Sequence, residues 1–106
     1  MILSENQIPE IVKLLNQSIH PEAIYLFGSQ AAGTANQSDS DVDICVIIKD
    51  HEEPYQQSVE AYFALRDLPF PKDVVVRRQS NFEKRSKWSS SLEFAIKNTG
   101  RLVYTT

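Results

Sequence analysis

The sequence predicts a small α/β or α+β domain in which helices flank a mixed β-sheet. Short apolar runs have the length and composition of buried strands, and the segments between them show the helical spacing of apolar residues. Strands and helices that alternate along a chain are typical of this class. Because 106 residues are enough for one domain with one hydrophobic core, we assign residues 1–106 to a single domain.

The first part of the chain predicts a helix followed by a strand. Apolar residues from Ile8 to Ile19 recur at helical spacing, and Pro21 ends the pattern. Asn6 stands where an N-cap is expected, which leaves Pro9 in the first turn, where its missing N–H matters least. The apolar run Ala23–Phe27 then predicts a buried strand, and a short helix is expected to begin at Ser29.

The middle of the chain predicts a central strand, a helix and a third strand. The run Val42–Ile48 is almost continuously apolar, as in strands that are buried on both faces. Pro54 suits the first turn of a helix that continues to about Asp67. A third strand is expected over Asp73–Arg77. Three aromatic residues share one face of the helix and are expected to lie in the core: Tyr55, Tyr62 and Phe63.

The last part of the chain predicts helices and a short final strand. Two serine–glutamate pairs have capping-box spacing and predict two helix starts: Ser80 with Glu83, and Ser90 with Glu93. Gly100 fits a helix C-terminus, and Leu102–Tyr104 a strand. Trp88 is expected in the core, and the basic residues between positions 77 and 87 are expected to form a solvated face with local ion pairs.

Charge and cysteine content bear on the partners and the compartment. The formal charge of −3 argues against broad electrostatic capture of nucleic acid. No apolar run approaches the roughly 20 residues of a membrane span, and the N-terminus lacks the pattern of a signal peptide. The lone cysteine, Cys45, allows no disulfide within the chain, which fits a reducing compartment. We therefore expect a cytoplasmic protein without a membrane or direct nucleic-acid partner.

Two aspartates in the second strand are the candidate metal ligands. Asp41 and Asp43 are two residues apart, so their side chains project to the same side of a strand. Carboxylates this close repel each other unless a cation neutralises them, and Mg²⁺ accepts oxygen ligands while keeping positions for substrate phosphates. A third carboxylate would allow two ions to flank a phosphoryl displacement. Asp73 is the best candidate because it begins the third strand, and Asp39 and Asp50 are its competitors.

A glycine–serine pair directly follows the first strand. Backbone amides after a strand can bind phosphate, so Gly28 and Ser29 are candidate phosphate ligands. The alternative is that the aspartates and this pair are only turn and cap residues. Their combination, in this order and after a buried strand, favours chemistry on a nucleoside triphosphate.

This segment resembles the signature of the polymerase-beta-like nucleotidyltransferase superfamily, in which Gly-Ser is followed by a glycine, by Ser-Asp-x-Asp and by an apolar strand. The matching residues are Gly28-Ser29, Gly33 and the run from Ser40 to Val46. The chain is similar to the minimal nucleotidyltransferases, and the resemblance extends to Lys72–Val76 and to Gly100–Tyr104.

The chain departs from that family pattern at two points. Six residues separate Gly33 from Ser40, where many minimal members have five, which leaves open a register that uses Ser38, Asp39 and Asp41. Ala32 stands where many relatives carry a basic residue.

The resemblance implies an enzyme that transfers a nucleoside monophosphate, with ATP as the expected donor, to an acceptor hydroxyl, while pyrophosphate leaves. Asp41 and Asp43 would hold two Mg²⁺ ions, and Asp73 would hold the catalytic one and help to deprotonate the acceptor. Three residues would bind the nucleotide: Gly28, Ser29 and Ser40.

The resemblance also implies a partner. Minimal members commonly pair with a small helical HEPN protein, a ribonuclease toxin, and act as its antitoxin, some by adding AMP to it. Larger relatives cover the base with a second domain for which 106 residues leave no room, so we expect such a partner or a homodimer to complete the site. The alternative is a non-catalytic antitoxin that neutralises its partner by contact.

Overall fold

A four-stranded mixed sheet with helices on both faces forms the protein, as the sequence predicts. The computed structural model describes residues 6–28 and 41–106. Its helices are α1 (Gln7–Ile19), α2 (Pro54–Ala64), α3 (Gln79–Arg85) and α4 (Leu92–Thr99). Its strands are β1 (Ala23–Phe27), β2 (Val42–Ile48), β3 (Lys72–Arg78) and β4 (Arg101–Thr105). The helix predicted to begin at Ser29 lies outside the described residues.

The strands lie in the order β3-β2-β1-β4, which makes β2 an interior strand. β1 runs antiparallel to both β2 and β4, whereas β2 and β3 are parallel and are joined through α2. Six of the seven residues of β2 are buried, and the exception is Asp43. A half-buried carboxylate in an otherwise apolar interior strand does not contribute to hydrophobic packing. The end of the sheet where Asp43 lies is therefore a candidate functional site.

Alternate residues of β2 fill two hydrophobic layers, as the two-residue period of a strand requires. One layer lies under α1 and α2 and includes Val42 and Ile44 of the strand together with Leu15 of α1. The other lies under α3 and α4 and includes Cys45 and Ile47. In this second layer the Phe82 ring stacks on Tyr25 of β1, with the ring centroids 5.5 Å apart.

Prolines lie just after α1 and at the start of α2, as the sequence predicts. α1 ends at Ile19, and His20 adopts a left-handed conformation with φ 49° directly before Pro21. Asn6 occupies the N-cap position of α1, as predicted, although its side chain makes no capping hydrogen bond. α2 begins at Pro54 as predicted but ends at Ala64, before the predicted end near Asp67.

The caps of α3 and α4 differ from the predicted capping boxes. Ser91, one residue after the predicted Ser90, caps α4: its Oγ accepts a hydrogen bond from the Phe94 amide at 3.0 Å. Ser80 does not cap α3 with its side chain; its amide donates to the Asp50 carboxylate at 2.9 Å. Asp50, which the sequence analysis weighed as a competing metal ligand, is therefore bound to the start of α3.

Gly100 ends α4 as predicted, although the reason is close packing rather than a left-handed backbone. Its φ is −77°, a value open to any residue. A Cβ at this position would lie 3.1 Å from the Leu26 carbonyl oxygen and would collide with the carbonyl oxygen of Ile96. Only glycine allows the chain to turn this tightly from α4 into β4.

The aromatic face of α2 is exposed, which contradicts the prediction that it lies in the core. The exposed fraction is 78% for Tyr55 and 61% for Phe63. The helix instead contacts the sheet through Ala61, which is fully buried. Trp88, also predicted to be buried, is 49% exposed and lies under the Arg85 guanidinium. None of the helices within residues 6–28 and 41–106 has the length and apolar character needed to cross a membrane.

Candidate functional site

The candidate site lies at the end of the sheet where β1 finishes and β2 and β3 begin. In the parallel register of β2 and β3, Asp43 is the direct partner of Asp73. Residues that pair across neighbouring strands project to the same face of a sheet, so these two carboxylates are neighbours. Asp41 directly precedes β2 and is exposed. The topology thus makes Asp43 and Asp73 neighbours, and Asp41 lies near enough for its charge to act on Asp43.

Electrostatic repulsion marks this group of carboxylates. Burial raises the pKa of the Asp43 carboxyl above its ordinary value, and the negative charges of Asp73 and Asp41 raise it further. Among the described residues, no lysine or arginine forms an ion pair with any of the three. The protein therefore maintains a local excess of negative charge, which a bound cation would relieve.

Gly28 contributes space to this site. It adopts a left-handed conformation with φ +69° at the end of β1, and a Cβ built on it would collide with Oδ2 of Asp43. The turn after β1 can therefore approach the carboxylate only because residue 28 has no side chain. The predicted role of Gly28 in phosphate binding stays a prediction, and the other predicted nucleotide ligands, Ser29 and Ser40, lie outside the described residues.

Tyr62 of α2 also belongs to the site, although the sequence analysis assigned it to the core. Its hydroxyl donates a hydrogen bond to Oδ1 of Asp73 at 2.9 Å and accepts one from the Val74 amide, also at 2.9 Å. Burial raises the pKa of the Tyr62 hydroxyl; the Val74 amide lowers it, and Asp73 raises it again. The net shift is upward, so the hydroxyl keeps its proton. No sequence signal indicates this contact, because it depends on how α2 packs beside the edge strand β3.

The donor set suits a hard divalent cation in its chemistry. Asp41, Asp43 and Asp73 supply carboxylate oxygens, the ligands that Mg²⁺ prefers, and Gly28 leaves room beside one of those oxygens. Within residues 6–28 and 41–106, however, no three acidic, histidine or cysteine side chains are already grouped as a metal site. Metal binding by the three aspartates therefore stays a prediction.

A second charged cluster lies on the face of the sheet covered by α3 and α4. Glu93 is 3% exposed, and its Oε2 lies 2.9 Å from Nε of Arg77, while its Oε1 lies 3.2 Å from Nε of Arg85. The Arg85 contact does not meet the directional requirement of a hydrogen bond, so it is an ion pair. Burial alone would raise the pKa of Glu93, but its own backbone amide and the two arginines lower it. The cluster joins β3, α3 and α4 and is structural.

Comparisons with known proteins bear on the family and the fold. The sequence model of the family described as "Polymerase beta, Nucleotidyltransferase" matches residues 9–106. No curated protein matches the sequence.

Solved structures resemble the fold. A toxin–antitoxin crystallised with AMP-PNP is 26% identical, with a TM-score of 0.61 over 93% of this chain and 73% of that one. The toxin–antitoxin MntA-HepT is 22% identical, with a TM-score of 0.56 over 97% of this chain and 74% of that one. A proposed nucleotidyltransferase from Sulfolobus solfataricus is 19% identical, with a TM-score of 0.58 over 93% of this chain and 78% of that one. The last two show the fold alone.

Proposed function

This chain belongs to the polymerase beta nucleotidyltransferase family, and we propose that it transfers AMP from ATP to a hydroxyl group of a partner toxin, for which it acts as the antitoxin. The observation that carries the proposal is the group formed by Asp41, Asp43 and Asp73 at one end of the sheet. A fold can host several functions, so the assignment rests on this site as well as on the architecture.

The proposed reaction is a displacement at the α-phosphorus of the nucleotide. The acceptor oxygen forms a bond to this phosphorus, the bond from the phosphorus to the bridging oxygen breaks, and pyrophosphate leaves. Asp73 accepts the proton of the acceptor hydroxyl. Since the Tyr62 hydroxyl is bound to Oδ1, the proton goes to Oδ2. In such transfers, positioning and charge neutralisation supply most of the catalysis.

Asp41 and Asp43, with Asp73, would hold divalent metal. When bound, Mg²⁺ supplies positive charge that neutralises the phosphates and the repelling carboxylates. Two ions are expected by the resemblance, and the three carboxylates provide enough oxygens to share between them. Gly28 and, from the sequence alone, Ser29 and Ser40 would contact the phosphates.

Two observations support the partner and the donor in this proposal. One similar structure is a toxin–antitoxin solved with AMP-PNP, an analogue of ATP. In addition, α2 carries exposed apolar side chains at Tyr55, Val59 and Phe63, on the same helix from which Tyr62 reaches Asp73. A helical toxin of the HEPN type that covers this helix would exclude water from the acceptor, which efficient transfer requires.

The second candidate function is neutralisation of the partner by contact alone. The same exposed side chains of α2 favour it, because an apolar surface binds a protein whether or not chemistry follows. It does not account for three repelling carboxylates, since binding does not require them.

A mass measurement on the partner distinguishes the two functions. The protein is incubated with ATP, Mg²⁺ and the toxin encoded beside it, and the intact mass of the toxin is recorded. We expect a gain of one or more AMP units that disappears in the double variant Asp41→Asn, Asp43→Asn and persists in the control Glu10→Gln, which neutralises an exposed carboxylate in the first turn of α1. A double variant that binds and neutralises the toxin as wild type does would establish contact as the mechanism.

A further inference from the structure

We propose that Tyr62 is a positioning residue that fixes the orientation of the Asp73 carboxylate; this inference rests on the proposed function. Tyr62 projects from α2, whereas Asp73 belongs to β3, the edge strand of the sheet. The contact therefore joins the candidate site to a helix that contributes no other residue to it among those described.

The direction of the hydrogen bond is fixed by the groups around the hydroxyl. The Val74 amide can only donate, so it occupies a lone pair of the Tyr62 oxygen. With that lone pair taken by the amide, the hydroxyl donates its proton to Oδ1 of Asp73. Because the backbone amide holds the phenol oxygen in place, the tyrosine presents its proton to the carboxylate from a fixed point.

As a consequence, the two oxygens of Asp73 have different roles. Oδ1 is held by Tyr62, and the described contacts give Oδ2 no hydrogen-bond partner. Without the tyrosine, an exposed aspartate at a strand edge would exchange among rotamers, and few of these would point Oδ2 at a metal or an acceptor. Groups that hold a metal-binding carboxylate in this way typically change metal affinity or activity by 10–100-fold when they are removed.

A purely structural role would also explain the contact. β3 is an edge strand, and the Tyr62 hydroxyl accepts a hydrogen bond from the amide of Val74, which belongs to that edge. The two roles predict different consequences. If the role is structural, loss of the hydroxyl lowers the stability of the fold and nothing else. If the role is positioning, loss of the hydroxyl changes metal affinity and the turnover number even where stability is unaffected.

The test compares Tyr62→Phe with Tyr104→Phe, which makes the same chemical change in β4, at the opposite edge of the sheet from β3. Binding of Mn²⁺ to the nucleotide-free protein is measured by calorimetry, and kcat and KM for ATP are measured with the toxin present. We expect Tyr62→Phe to weaken Mn²⁺ binding about 10–100-fold and to lower kcat with little change in KM. Tyr104→Phe should leave all three quantities as in wild type.

A double-mutant cycle keeps the test decisive if Tyr62→Phe also lowers stability. In the Asp73→Asn background, removal of the tyrosine hydroxyl should have no further effect on Mn²⁺ affinity, because the group that it positions is already altered. An equal effect in both backgrounds would overturn the positioning role, as would equal Mn²⁺ affinities of wild type and Tyr62→Phe. Failure of the wild-type protein itself to bind Mn²⁺ would instead overturn the proposed metal-dependent function, and this inference with it.

Discussion

Replacement of Gly28 by alanine should strongly slow nucleotidyl transfer while it destabilises the fold only moderately. The backbone of Gly28 is left-handed, and an added Cβ would collide with Oδ2 of Asp43. That oxygen is the far end of a side chain, so the carboxylate should turn away before the strand shifts. The substitution therefore displaces one of the three carboxylates of the site while leaving β1 and β2 paired.

The two effects of Gly28→Ala have separate magnitudes. A left-handed conformation costs an L-residue about 1–2 kcal/mol, so the free energy of unfolding should fall by about that amount. A displacement of about 1 Å at a reacting group can lower a rate by about 100-fold, and the turned Asp43 carboxylate should have an effect of that order. Urea unfolding followed by circular dichroism measures the first, and the initial rate of AMP transfer measures the second.

Gly28→Asn is the matched control for this prediction. Asparagine tolerates the left-handed region better than alanine does, but it carries the same Cβ. It should therefore recover part of the lost stability while the transfer rate stays low. The reasoning is refuted if Gly28→Ala transfers AMP within about threefold of the wild-type rate, or if Gly28→Asn restores the rate together with the stability.

Two further predictions concern groups outside the site. Glu93→Gln should lower the free energy of unfolding by about 1–3 kcal/mol at pH 7, because the carboxylate is buried against Arg77. The pKa of Glu93 is lowered in the folded protein, so its stabilising contribution is present above the unfolded pKa of about 4.3 and is lost as the pH falls through the folded pKa. Urea titrations of wild type and Glu93→Gln at several pH values should show the difference in unfolding free energy shrink as the pH falls. Burial raises the pKa of Cys45 to about 12, so iodoacetamide at pH 8 should alkylate it only as fast as the protein unfolds; prompt alkylation of the native protein would contradict its burial.

Much of the fold could be predicted because its signals are local. The apolar run of β2 and the prolines beside α1 and α2 determine where those elements begin or end. The position of α2 on the sheet could not be predicted in the same way. Its aromatic residues share a face, but the smaller face that includes Ala61 packs on the core, and that choice depends on contacts distant in sequence.

In the candidate site, too, local features could be predicted, whereas contacts distant in sequence could not. The spacing of Asp41 and Asp43 predicted that they project together, and the apolar residues after Asp73 predicted a strand start. That Asp73 pairs with Asp43 depends on the parallel register of β2 and β3, which the local sequence pattern does not determine. The contact of Tyr62 with Asp73 carried no sequence signal, since one tyrosine in a helix does not reveal which strand edge it will reach.

The transfer of label from ATP to the partner toxin tests the central claim most directly. The protein, Mg²⁺ and the toxin are incubated with ATP that is labelled either at the α-phosphate or at the γ-phosphate. Attack at the α-phosphorus predicts that only the α label becomes covalently attached to the toxin, that the γ label leaves in pyrophosphate, and that Asp43→Asn abolishes the attachment. Attachment of the γ label, or of the α label at an undiminished rate in Asp43→Asn, would contradict the assignment of these carboxylates to nucleotidyl transfer.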